Sequence, residues 1–134
     1  MLGEMLGEGH GKVTGQRVLS SEGLSPRMEI SSQESGKILG VEYTGRGTYI
    51  ATAGPGGVLH GQGQGIDMTK DGEMLTWTGN GVGKMTARGG ASYRGVLYYQ
   101  TPSQKLARLN GMAVVFEYEV DENDNSHSKI WEWK

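Results

Sequence analysis

The residues best equipped for chemistry are the histidines and their neighbours. His10 sits between two glycines, with Glu8 and Lys12 two positions away on either side. In an extended strand, side chains at i and i+2 share a face, so the three project together. A histidine beside a carboxylate is the arrangement of a general base near neutral pH. His60 shares its face with Gln62 and Gln64 in the same way. The exposed polar face of an antiparallel strand accounts for all of these residues without chemistry. The spacing of His10, His60 and His127 makes no metal motif, so two histidines and a carboxylate could meet only across strands. Neither a metal nor a cofactor is expected.

Other chemistries fail on inspection. Asp121, Asn123, Asn125, His127 and Glu132 fall at positions 1, 3, 5, 7 and 12 of a calcium loop. Ser126 stands where that loop needs glycine, and the flanks alternate like strands, so a solvated hairpin turn is the better reading. Gly83-Lys84 is followed by Met85 where a phosphate loop needs Ser or Thr. No helix follows the glycine runs, as a dinucleotide fold requires, and no Gly-x-Ser-x-Gly elbow surrounds a serine. The absence of cysteine removes thiolate catalysis, disulfides and zinc-thiolate sites.

What remains is a set of aromatic side chains among glycines. The 134 residues include 24 Gly, 6 Tyr, 3 Trp and 1 Phe, a glycine content far above the usual ~7%. With only 3 prolines and no triplet period the chain is not collagen, and with 35% hydrophobic residues it is not a flexible glycine polymer. A helical protein is disfavoured, since each interior glycine costs a helix about 1 kcal/mol relative to alanine. Thirteen basic against 15 acidic residues leave no basic footprint for nucleic acid. No apolar run approaches the ~18 residues of a membrane span, and acids stand near the N-terminus where a signal peptide is basic. A soluble, cytoplasmic protein without membrane or nucleic-acid partners is expected.

The elements that must position these residues are strands. Period-two alternation runs through most of the chain. Its odd side reads Val41, Tyr43, Gly45, Gly47, Tyr49, then Gly61, Gly63, Gly65, then Leu75, Trp77, Gly79, Gly81, Gly83, then Tyr93, Gly95, Leu97, Tyr99. Turn signals fall at Ser35-Gly36, Gly54 to Gly57, Asp71-Gly72 and Arg88 to Gly90. Thr101-Pro102-Ser103-Gln104 has a hydroxyl cap, a first-turn proline and a capping-box glutamine, which predicts one short helix over Pro102 to Leu109. Strands return at Met112 to Val120 and Lys129 to Lys134. The reading is one all-β domain over residues 1–134. Its architecture is a single antiparallel up-and-down barrel of about eight strands with one short helix, since closure at that number fills the interior and removes edges. A two-sheet sandwich is the alternative.

The runs Gly61-Gln62-Gly63-Gln64-Gly65 and Gly79-Asn80-Gly81-Val82-Gly83, beside Gly45-Arg46-Gly47-Thr48-Tyr49, resemble the small barrels of the allene oxide cyclase-like and lipocalin-like (calycin) groups. The resemblance implies a central cavity for a small apolar molecule, used in some relatives for isomerisation or cyclisation. No position matches a relative's catalytic residue.

If the odd side faces inward, Tyr43, Tyr49, Trp77, Tyr93 and Tyr99 line the interior. Such a wall suits a small apolar or aromatic ligand, with hydroxyls as polar handles. The competing reading has the same rings lying across neighbouring-strand glycines and filling the barrel. The opposite parity would place Glu8, His10, His60, Gln62 and Gln64 inward as a polar lining. Trp131 and Trp133 share one side of the last strand, where they plug the barrel, cover its seam or join a homo-oligomer. The functional expectation is a small-molecule-binding barrel. An isomerase or cyclase of the allene oxide cyclase type is the alternative, and a structural oligomer is the third reading.

Overall fold

Alternation at period two gives each strand one face for a core and one for solvent, and a sheet of such strands loses its unpaired edges only by closing. The computed structural model, which describes residues 2–134, closes in this way. Its strands are β1 (Leu2–Ser20), β2 (Arg27–Ile38), β3 (Val41–Ala53), β4 (Val58–Thr69), β5 (Met74–Met85), β6 (Ala91–Gln100), β7 (Val114–Val120) and β8 (Asn125–Trp133). Each pairs with the next, and β8 returns to pair antiparallel with β1, so the barrel is closed and up-and-down. The sandwich alternative does not form. Among the described residues no helix is long and apolar enough to cross a membrane.

Two local expectations are corrected. The turn expected at Ser35-Gly36 lies instead at Leu39-Gly40, where φ is 49° and 78°. Two consecutive positive φ values make the two-residue hairpin turn whose twist matches the flanking strands. Running β2 on to Ile38 pairs it with Val41 and buries its side chain almost completely.

The short helix expected over Pro102 to Leu109 is absent, and only a 3-10 turn forms, at Ala107–Leu109. The Thr101 hydroxyl does accept the Ser103 N–H at 3.1 Å, but it donates to the Met74 carbonyl at 2.8 Å, tying the segment to β5. The Asn110 side chain bonds back to the Thr101 backbone in both directions. Leu106 and Leu109 are both fully buried. Leu106 precedes the turn and Leu109 ends it, three positions apart, the separation at which a 3-10 turn stacks side chains.

This segment closes one end of the barrel. Leu106 and Leu109 pack with Leu6, Ile38, Val41 and Val114 beneath Tyr43 and Tyr99. Arg108 lies outside the plug, 3.5 Å from Glu4 and 3.4 Å from Glu132. Exposed ion pairs contribute at most about 1 kcal/mol, so burial holds the segment. Arg108→Ala is therefore expected to lower unfolding free energy by less than about 1 kcal/mol in urea titration; a loss of several kcal/mol would show the ions to be the clasp.

Trp131 and Trp133 face outward from β8, neither plugging the interior nor deeply buried. They pair across the closing seam with Met5 and Leu2, and Trp133 is exposed.

Candidate ligand cavity and its carboxylates

The inner face is built from rings laid over glycines. Trp77 on β5 covers Gly65 and Gly47, Tyr93 on β6 covers Gly83, and Phe116 on β7 covers Gly81 and Gly95. A β-carbon at Gly47 would stand 2.9 Å from the Trp77 ring. Glycine on one strand and a large ring on its neighbour thus occupy a single layer of space. The rings do not fill it all. A cavity of about 110 Å³ remains, a little smaller than the cavity of about 150 Å³ that accepts benzene in an engineered protein interior.

Tyr43, Tyr49, Trp77, Tyr93 and Tyr99 all stand on the wall of this cavity. Glu8, His10, His60, Gln62 and Gln64 are exposed on the outer face instead. In β4 the glycines at 61, 63 and 65 take the inward positions, which sends the intervening His60, Gln62 and Gln64 outward. The polar groups that do face inward include Glu34, Asp67, Ser128 and the tyrosine hydroxyls.

Glu34, Gly45 and Asp67 form one row across three strands: Glu34 is paired with Gly45, and Gly45 with Asp67. Glycine is required between them, because a β-carbon at position 45 would run into the Asp67 carboxyl. Glu34 accepts hydrogen bonds from the Tyr43 hydroxyl at 2.5 Å and the Ser128 hydroxyl at 3.0 Å. Asp67 is only 3% exposed, and no hydrogen bond from another described residue reaches its carboxyl. Burial, reinforced by the charge of Glu34, pushes the Asp67 carboxyl up to about 8. Burial also raises the Tyr43 and Tyr99 hydroxyls, with both carboxylates adding to the effect.

Further along β3, Tyr49 meets Tyr93 and Tyr118 edge-on, with centroids 5.7 and 6.0 Å apart. The Tyr118 hydroxyl is buried without a hydrogen bond of good geometry, although Ser32, Ser126 and Tyr49 surround it. Glu34 and Asp67 carried a signal in the sequence. Asp67 continues the row Gly61, Gly63, Gly65, and Glu34 shares a face with Ile30 and Ile38. The turn signal at Ser35-Gly36 obscures the second by cutting Glu34 off from Ile38.

On the outer face Glu8 and His10 meet His127 from β8. The two imidazoles stack at 4.2 Å, and Glu8 lies 2.5 Å from His127 Nε2 and 3.9 Å from His10 Nε2. The hydrogen bond from His127 holds the Glu8 carboxyl below its usual range. These three residues carry the donor set that could hold a divalent metal, assembled across strands. The Asp121 carboxylate is spent on its own turn, accepting the Asn123 and Asn125 N–H groups at 2.8 and 2.9 Å. Those bonds, the one from Asn125 foremost, lower its pKa, and the segment is a solvated hairpin.

No family model and no curated protein matches the sequence. Solved structures match it in shape. A protein of unknown function from Clostridium acetobutylicum shares 12% identity at a TM-score of 0.84, covering 98% of each chain. A β-barrel-like protein from Acinetobacter baumannii shares 13% at 0.83, covering 100% of this chain and 96% of that one. An enzyme from Penicillium herquei shares 16% at 0.68, covering 96% and 92%. Likeness at such identities establishes the eight-strand β-barrel fold and nothing of its chemistry.

Proposed function

We propose that the protein binds a small, partly apolar molecule inside the barrel, with a ring against Trp77 and the tyrosines and a polar end at Asp67. The observation that carries this reading is Asp67 itself. A carboxyl buried in an apolar wall without a hydrogen-bond partner is costly, and it faces a cavity in which a ligand can supply that partner. The wall around it is the mixture typical of small-molecule sites, mostly apolar with a few placed polar groups. The Penicillium herquei enzyme supports the reading only in that a chain of similar fold has an activity.

The test uses the indole in the wall. Trp131→Phe/Trp133→Phe leaves Trp77 as the single tryptophan of the three. A panel of one-ring ketones and phenols is then titrated against its fluorescence. Saturable quenching is expected, and Gly61→Leu should abolish it. The β-carbon of that variant meets only the Tyr93 ring, at 3.4 Å, so the side chain fills the cavity without straining the barrel. Quenching by none of the panel, or quenching indifferent to Gly61→Leu, would overturn the proposal.

A further inference from the structure

We propose that Asp67 and Glu34 act as a proton-transfer pair on the bound molecule, making the barrel an isomerase for small enolisable ketones. This rests on the ligand-binding reading and deepens it. The two carboxyls reach the same space from β2 and β4, on either side of the gap left by Gly45. A ligand lodged there meets an acid on one side and a base on the other.

Their surroundings divide the roles. Glu34 is oriented by two hydroxyl donors, one on each oxygen, and each oxygen keeps a lone pair for a ligand proton. Asp67 has no such donor. The titratable groups facing it are Glu34 from β2, Tyr43 from β3 and Tyr99 from β6. Among the described residues no Lys, Arg or His is buried, so no interior cation holds Asp67 ionised. Asp67 therefore carries a proton at neutral pH and donates it, while Glu34 is the acceptor. A buried carboxyl without donors beside one held by two hydroxyls is an arrangement that assigns acid and base.

The reaction that fits is migration of a double bond in a β,γ-unsaturated ketone. Glu34 takes the proton from the carbon between the carbonyl and the double bond, breaking that C–H bond, while Asp67 gives its proton to the carbonyl oxygen and a dienol forms. The Glu34 carboxylic acid then protonates the γ-carbon, the dienol O–H returns its proton to Asp67, and the conjugated ketone leaves. No electron acceptor is needed, and both carboxyls end as they began.

Cyclohex-3-en-1-one, a single-ring ketone on the scale of the cavity, is the probe. Wild type is expected to form cyclohex-2-en-1-one, followed by its ultraviolet absorbance, faster than buffer does. Asp67→Asn and Glu34→Gln should each lower that rate about 100-fold or more while the probe still quenches Trp77. The wild-type rate should fall as pH rises through about 8 and Asp67 loses its proton. In D2O the product should keep the substrate's own hydrogen at the γ-carbon, because Glu34 carries that proton from one carbon to the other. Quenching without turnover overturns the catalytic inference and leaves binding standing; neither quenching nor turnover overturns both. A rate that survives both substitutions also overturns the assignment of the pair.

Discussion

Asp67→Asn is expected to stabilise the folded protein at pH 8 by several kcal/mol and to flatten its stability across the range below. The ordinary aspartate value is 3.8, and in the barrel it rises to about 8. Between those values the folded state holds a proton that the unfolded state has released, so stability falls as pH rises. The contribution is fully present below about 4 and fully lost above about 8. Each unit is worth 1.36 kcal/mol, which bounds the effect at roughly 6 kcal/mol. Glu8 and Asp121 act in the opposite sense, since their values are lowered and their contributions disappear only as pH falls below the ordinary carboxylate range. Urea unfolding at pH 5 and pH 8 measures the difference directly. A wild-type protein that is more stable at pH 8 than at pH 5, or a variant no better at pH 8, would contradict the buried acid. A group retained at that cost, and removable with a gain in stability, is characteristic of functional sites.

Gly95→Val is expected to cost about 3 kcal/mol or more, at the upper end of what overpacking produces. A β-carbon there would approach Gly81 Cα to 2.6 Å and the Phe116 ring to 2.8 Å, with the Asn80 carbonyl also in its path. Two of those obstacles are backbone held in the β5–β6 ladder, so they do not yield to a rotamer change. Gly15→Val provides the contrast, because nothing lies within 4 Å of its β-carbon. Its effect should stay within about 0.5 kcal/mol, since surface substitutions away from packed features usually do. Thermal or urea unfolding of the two variants side by side separates glycine as packing space from glycine as tolerated filler. Equal effects would show that the rings do not depend on bare backbone beneath them.

The barrel was legible in the sequence because its signals are local and repeated. Alternation from Val41 to Tyr99 placed the inward tyrosines and Trp77 on one side, and turn residues at Gly54 to Gly57 and Asp71-Gly72 marked hairpins where they occur. Signals that depend on partners were not legible. Ser35-Gly36 reads as a turn until Gly36 is seen opposite Gly9 and Tyr43 in a continuous ladder. Thr101 to Gln104 reads as a helix cap until the Thr101 hydroxyl is seen donating to the Met74 carbonyl of the neighbouring strand. Glu34 and Asp67 each share a face with inward residues of their own strand, but no single-strand view shows that the two meet. Only the row through Gly45 brings them together, and that row needs three strands in register. Likewise, the solvent-facing meeting of Glu8 and His10 with His127 belongs to the closing pair of strands.

That closing pair also governs how the protein comes into being. His127 and Glu8 touch although 119 residues separate them, and the ladder between β1 and β8 is made wholly of such distant partners. Chain-closure entropy makes these the last contacts worth forming. Until β8 has been synthesised, β1 presents an unpaired edge, and a growing chain at about 5–20 residues per second leaves it open for several seconds. In a crowded polysome the nearest complementary strand can belong to a neighbouring nascent chain. An exchanged dimer, each molecule completed by the other's β8, is the mistake this topology most readily makes.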